Sequence, residues 1–268
     1  MQSSNTQTPQ LIHHVKDGVL ILTINRPERR NAMSPEIYAS MYQALTSAVD
    51  DKDIGAIVLT GSGTAFSAGG DVARMAGATA EELSYEQKIA RLRGRARISE
   101  LLHTMDKPTI AMIRGPAVGA GLSIALACDM RFSDTTARLG TAFLNVGLSG
   151  DFGGHYFLPK LVGMAKAREL YLTTPILNAQ ESLSIGLLNQ VFEPEELEST
   201  VMAIASKLAR GPRTAMAYMK QNLNHALHAS LAEVIEGESW RHIRCTETED
   251  HQEATQAYVE KRPPNFAR

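Results

Sequence analysis

Asp151 sits in the run Gly147-Leu148-Ser149-Gly150-Asp151-Phe152-Gly153-Gly154, with no other ionisable side chain inside it. A carboxyl facing an apolar cavity loses hydration. Its pKa rises, and it becomes a better base and a better acid near neutral pH. One such group is enough to take a proton from one carbon and return it to another. The alternative is a helix cap, since an aspartate just before Gly153-Gly154 can accept from the N–H groups of a helix starting there.

Two runs of small residues could carry the charge that such a proton transfer creates. In GTAFSAGGD, residues 63–71, the stretch Ser67-Ala68-Gly69-Gly70 follows an apolar strand pattern. In RGPAVGAGLSIALACD, residues 114–129, Gly119-Ala120-Gly121 stands where a strand gives way to a helix. Both leave main-chain N–H groups uncovered by large side chains, and converging amides can stabilise an oxyanion. A helix N-terminus adds partial positive charge. Removing one such donor costs about 2.7–4 kcal/mol of barrier. The competing readings are a plain tight turn and small-residue packing of a buried helix. A nucleotide phosphate loop is disfavoured: there is no GxxxxGK[ST], and Ile124 stands where GxGxxG needs its last glycine.

The elements around these runs read as α/β. Val19–Ile24, Ile54–Thr60 and Thr109–Ile113 form apolar, β-branched strand patterns, and Met130-Arg131-Phe132 starts another. Ser34-Pro35-Glu36 has the cap, proline and acid of a helix start, with Ile37, Met41, Leu45 and Ala48 at helical spacing behind it. A helix is expected from Gly119 through Ala127. Residues 77–100 are polar and highly charged, and read as a surface helix or a lid. From about residue 195 only helical spacing remains, in Val201, Ile204, Ala205 and Leu208, then in Met216, Met219, Leu223 and Leu227, with Gly211-Pro212 between. Alternating strands and helices predict βαβ units and a largely parallel sheet.

The chain has 268 residues, 44% apolar and 21% charged, enough for a substantial core. A net charge of -2, from 27 basic and 29 acidic residues, argues against a nucleic-acid partner. Two cysteines, Cys128 and Cys245, are too few for a disulfide framework, and Cys128 reads as a core residue. No stretch approaches the roughly 18 apolar residues of a membrane span. The polar start MQSSNTQTPQ has no signal pattern, so a soluble, cytoplasmic protein with a frayed first ten residues is expected. No metal site is expected.

Asn25-Arg26-Pro27 with Asn31-Ala32, Phe66-Ser67-Ala68-Gly69-Gly70-Asp71, Lys107-Pro108-Thr109-Ile110-Ala111, Gly115-Pro116-Ala117-Val118-Gly119-Ala120-Gly121 and Ala127-Cys128-Asp129 occur in that order. As a set they resemble the crotonase (enoyl-CoA hydratase/isomerase) superfamily. The likeness covers about residues 15–165, Ala179 to Val191 and the helical C-terminus. It implies a ββα spiral over residues 1–194, a helical oligomerisation region over 195–268, and a homotrimer or homohexamer. It implies an acyl-CoA substrate, with coenzyme A as part of that substrate and no separate cofactor. The thioester oxygen would sit between the amides of Ala68 and Ala120. Arg26, Arg29 and Arg30 would face the phosphates of coenzyme A. Ala32, Gly70, Asp71, Gly119 and Phe143 would lie along the substrate. Phe66 would pack near the pantetheine or in the core, Met75 would shape the acyl end, and Phe266 would reach the adenine, from its own or a neighbouring subunit. Asp129 matches a position that looks structural.

Family hydratases place two glutamates at the positions of Ser123 and Phe143, and both carboxylates are missing here. Family isomerases and 4-chlorobenzoyl-CoA dehalogenases have an aspartate where Asp151 stands. The dehalogenases add a histidine from the preceding helix, and residues 91–99 contain none. The pattern around Asp151, and Lys261-Arg262-Pro263-Pro264-Asn265-Phe266, are most similar to isomerases of ring-opened or epoxidised phenylacetyl-CoA. An isomerase with Asp151 as proton shuttle is therefore expected. The rivals are an atypical hydratase and a non-catalytic acyl-CoA-binding relative. His155 is expected on a helix surface, and Ser123 is assigned no chemistry.

Overall fold

A computed structural model describes residues 9–77 and 83–266. Residues 1–8 of the expected frayed start, and residues 78–82 of the expected surface segment, lie outside the described residues. Pro9 and Gln10, at the end of that start, are tied down instead: Asn25 donates from Nδ2 to Pro9 O (3.1 Å) and from N to Gln10 O (2.7 Å).

β1 (Leu11–Lys16) and β2 (Val19–Ile24) form an antiparallel hairpin. Its tip is Asp17-Gly18, both at positive φ (52° and 75°), the backbone that a two-residue hairpin needs. β1 is absent from the sequence reading because five of its six residues face solvent, leaving no apolar alternation to detect. α1 (Pro35–Asp50) starts as expected, with the Ser34 hydroxyl accepting from Ile37 N (3.2 Å) and Pro35 in the first turn. β3 (Ala56–Gly61), α2 (Val72–Gly77) and α3 (Tyr85–Thr104) follow. The chain then runs through β4 (Thr109–Ile113), β5 (Pro116–Val118), α4 (Ala120–Leu126), β6 (Met130–Asp134) and β7 (Arg138–Gly140). Next come α5 (Gly154–Val162), α6 (Met164–Thr173), β8 (Leu177–Asn178), α7 (Ala179–Ser184) and β9 (Gln190–Phe192). Four helices close the chain: α8 (Leu197–Ala209), α9 (Arg213–Ala226), α10 (Leu231–Thr246) and α11 (Glu249–Glu260).

Among the described residues, six strands form one sheet in the order β1-β2-β3-β4-β6-β9, parallel except for the β1–β2 hairpin. β5, β7 and β8 form a smaller second sheet. Every residue of β3 and β4 is buried, as a parallel sheet covered on both faces requires. One face packs on Ile37, Met41 and Leu45 of α1 and on Ile98 and Leu102 of α3. The other packs on Leu197, Val201, Ala205 and Ala209 of α8. The expected division at residues 194 and 195 therefore cuts a shared core: α8 belongs to the sheet layer, and the outlying helices begin with α9.

α9 is anchored by one cation. Lys220 Nζ donates to Leu102 O (2.9 Å), Lys107 O (3.1 Å) and Asp129 Oδ2 (2.8 Å). Asp129 also accepts from Thr109 N (2.7 Å). Its expected structural role is thus the join between sheet and α9. Beyond that join, Met219, Leu223, Leu231, Ile235, Trp240 and Ile243 are exposed, and α10 buries none of its residues. No described helix is long and apolar enough to cross a membrane.

Candidate active site

Parallel strands deliver their following loops to one edge of the sheet, and two of those loops are locked together. Ser67 N donates to Pro116 O (2.9 Å), and Val118 N donates to Ser67 O (2.9 Å). The loop after β3 is thereby stitched to β5, which leads into α4. Gly69 (φ 87°) and Gly119 (φ 55°) both require left-handed backbone. A Cβ on Gly69 would lie 2.6 Å from Val118 O and 3.4 Å from Ala120 N, so the two loops touch where the small residues are.

The amide assignment changes in one place. Ala68 lines the cavity, but its N–H already donates to Arg30 O (2.9 Å), so it is not the free donor expected of it. Two residues on, Gly70 also lines the cavity. Among the described residues, neither Gly70 N–H nor Ala120 N–H has a main-chain acceptor. Ala120 is the first residue of α4, where helical amides lack intrahelical partners. The available pair is Gly70 and Ala120. Met75 sits over the first of them: a Cβ added to Gly70 would come 2.8 Å from Met75 Cε.

Both donors open into a cavity of about 580 Å³ that Asp151 also lines. Asp151 is not a helix cap, because α5 is capped by Gly153 with no side-chain hydrogen bond. Its Oδ1 is enclosed and has no hydrogen-bond partner. Burial pushes the carboxyl up to about 6. Phe152 holds it there. This buried residue adopts φ 52°, a conformation rarely taken by a bulky side chain, and its ring stacks on Tyr38 (centroids 5.1 Å apart).

Two phenols that sequence reasoning did not find surround the acid. Burial and the charge of Asp151 both raise the pKa of Tyr38, while Arg95 opposes the rise. The same first two causes push Tyr171 up to about 12. Tyr38 follows Ile37 on the apolar stripe of α1, and a tyrosine there, with its polar tip, was the available cue. Tyr171 arrives on α6 with no local signal. The Arg95 guanidinium lies over the Tyr38 ring (5.3 Å).

The positions where family hydratases carry glutamates are apolar or capped over. Phe143 is buried, lines the cavity and stacks near Tyr171 (6.5 Å). Ser123 is buried beneath Gly154, whose Cβ, if present, would meet Ser123 Oγ at 2.6 Å and Tyr171 Oη at 2.4 Å. His155 is exposed, as expected, and its ring stacks on Tyr171 (4.0 Å).

Of the other expected binding residues, Asp71, Met75 and Gly119 line the cavity. Arg26 does not. It turns inward, with Nη1 donating to Ala32 O (2.8 Å) and pairing with Asp71 Oδ2 (3.0 Å), and so fixes the loop instead of presenting a free phosphate contact. Burial works to raise the Asp71 pKa, but hydrogen bonds from Arg74 N and Arg26, with the Arg26 and Arg29 charges, hold it below the usual carboxylate value. Arg29 is exposed on the short turn Pro27–Arg29, outside the cavity wall. Ala32 is buried beside Arg26. Phe66 is fully buried in the core and offers a ligand no surface. Phe266 lies outside the cavity wall, on a tail pinned to α11 by Asn265 N donating to Glu253 Oε1 (2.7 Å).

Residues 14–268 match the family described as enoyl-CoA hydratase/isomerase. The chain belongs to this family. The short-chain-enoyl-CoA hydratase of Clostridium acetobutylicum is 34% identical over 249 residues, covering 92% of this chain and 94% of that one. A 4-chlorobenzoyl coenzyme A dehalogenase of Arthrobacter is 34% identical over 236 residues, 88% of this chain and 85% of its own. The crystal structure of an enoyl-CoA hydratase from a Polaromonas species superimposes with a TM-score of 0.90 at 32% identity, covering 96% of this chain and 99% of that one. The α/β crotonase fold expected from the sequence is therefore the fold of this enoyl-CoA hydratase/isomerase family member.

Proposed function

We propose that this family member acts on an acyl-CoA thioester as an enoyl-CoA isomerase, moving a proton between carbons beside the carbonyl. The observation that carries the reading is the enclosed, unpartnered Asp151 carboxyl, at about 6, in the cavity onto which Gly70 and Ala120 open. The thioester oxygen accepts from these two amides, and Asp151 removes a proton from the α-carbon. The enolate charge rests on the two donors. Asp151 then returns the proton to the γ-carbon, shifting the double bond into conjugation. A base near 6 is ionised at neutral pH and, once protonated, is a competent acid. The Arg29–Arg30 turn supplies charge for the coenzyme A phosphates.

The hydratase reading draws support from the hydratase relative at 34% identity. Against it stand Phe143 and Ser123, which leave a water without the usual pair of carboxylates. Dehalogenation is less well supported, since the cavity-facing residues of α3 are Lys88, Arg91, Leu92 and Arg95, with no histidine. The test is direct. Crotonyl-CoA and 3-hexenoyl-CoA are incubated separately with the protein, and conjugated-thioester absorbance is followed. Gain of absorbance from the 3-enoyl ester is expected. Loss from crotonyl-CoA without that gain overturns isomerisation in favour of hydration.

The reading extends to a cytoplasmic homotrimer or homohexamer assembled through α9–α11, supported by their exposed apolar side chains. Sedimentation equilibrium giving a monomer would reject it. The acyl preference for phenylacetyl-CoA-derived substrates rests on the sequence pattern around Asp151 and at Lys261–Phe266 alone.

A further inference from the structure

α3 turns a cationic face to the cavity. Lys88, Arg91, Leu92 and Arg95 stand at i, i+3, i+4 and i+7, one side of a helix, and all four line the cavity wall. Among the described residues, neither Lys88 nor Arg95 is paired with a carboxylate. The two acids among the wall's described residues do not pair with them. Asp71 is committed to Arg26, and Asp151 Oδ1 has no hydrogen-bond partner.

The position of this face matters as much as its charge. Arg95 is half-buried over Tyr38 (5.3 Å), Tyr38 stacks on Phe152 (5.1 Å), and Phe152 is bonded in sequence to Asp151. Arg95 therefore belongs to the acid end of the cavity, where the acyl group lies if Asp151 reaches the carbons beside the carbonyl. A guanidinium held on an aromatic face, half out of water, keeps its N–H fork available for a carboxylate. A purely hydrocarbon acyl tail would take water from the half-buried Arg95 guanidinium and leave it only the Tyr38 ring as company.

We propose that the Lys88–Arg95 face is an anion subsite, and that the preferred acyl group carries a carboxylate at its far end. The inference rests on the acyl-CoA reading of the site but not on isomerisation, and its test needs no turnover. Binding of adipoyl-CoA, hexanoyl-CoA and free coenzyme A is measured by calorimetry with the wild-type protein, Arg95→Met and Lys88→Gln. The wild type is expected to bind adipoyl-CoA at least tenfold more tightly than hexanoyl-CoA, with the preference shrinking at high salt. Arg95→Met is expected to abolish most of the preference, with adipoyl-CoA affinity falling at least tenfold more than hexanoyl-CoA affinity. Lys88→Gln, at an exposed position where folding is not at risk, is expected to reduce it by a smaller factor. Equal wild-type affinities for the two esters overturn the proposal. So does an equal loss for both esters and free coenzyme A in the variants, which would make these cations phosphate contacts. If no ester binds at all, the acyl-CoA reading itself fails, and the subsite with it.

Discussion

The two walls of the cavity are built differently. On the amide wall, Gly70 and Ala120 are main-chain groups, set by hydrogen bonds between Ser67 and β5 and by two left-handed glycines. On the acid wall, Asp151, Tyr38 and Arg95 are side chains from three segments, held by ring stacking and burial. The first wall tolerates side-chain change and fails when the backbone is pushed. The second can change its chemistry one residue at a time. Relatives at the same 34% identity carry hydratase and dehalogenase names.

The sharpest break in this comparison is Asp151→Asn, an exchange of similar shape. We expect turnover of a 3-enoyl thioester to fall by about 10³-fold or more while the thioester still binds, measured by steady-state kinetics and calorimetry. Gly69→Ala attacks the other wall without touching the acid. Its Cβ would press on Val118 O at 2.6 Å, at a φ that alanine resists. We expect kcat to fall about 10²-fold, the scale of one lost oxyanion donor, with little change in the pH profile.

The pH profile separates the walls further. A base at about 6 must be ionised, so kcat/KM is expected to be flat above neutrality and to drop roughly tenfold per pH unit below about 6. A flat profile down to pH 4.5 would remove Asp151 as the base. The smallest expected effect is on stability, and its sign is opposite. Burial raises the Asp151 pKa above the ordinary 3.8, so the folded state binds the proton more tightly than the unfolded state. That contribution is present below about pH 4 and is lost as pH rises through about 6. Asp151→Asn is therefore expected to stabilise the fold by about 1–2 kcal/mol at pH 8 and to do nothing at pH 4, read from thermal melts.

Much of the scaffold was legible because burial periodicity is strong where the sheet is covered. β2 and β4 appear at their observed limits, and α1 begins at its predicted cap. β1 was hidden by its exposed face. The division at residue 194 was misplaced because α8 has ordinary amphipathic spacing, which does not reveal what its apolar side packs on. At the site, the small-residue loops and Asp151 were visible as composition. Which amide is free was not, because Ala68 is satisfied by Arg30 O, a contact that exists only after folding. Arg26 was read as a phosphate contact for the same reason: its partner Asp71 is far along the chain. Tyr38 and Tyr171 come near Asp151, and Arg95 reaches Tyr38, only through the packing of α1, α3 and α6.

The proton taken from the α-carbon can be followed directly. 3-Hexenoyl-CoA carrying deuterium at C2 is mixed with the wild-type protein or Asp151→Asn, and loss of label from C2 is measured by mass spectrometry before equilibrium. The wild type is expected to remove the label with a primary isotope effect, and the variant is expected to leave it in place. Removal at the wild-type rate by Asp151→Asn would contradict the assignment of this carboxyl as the group that moves the proton.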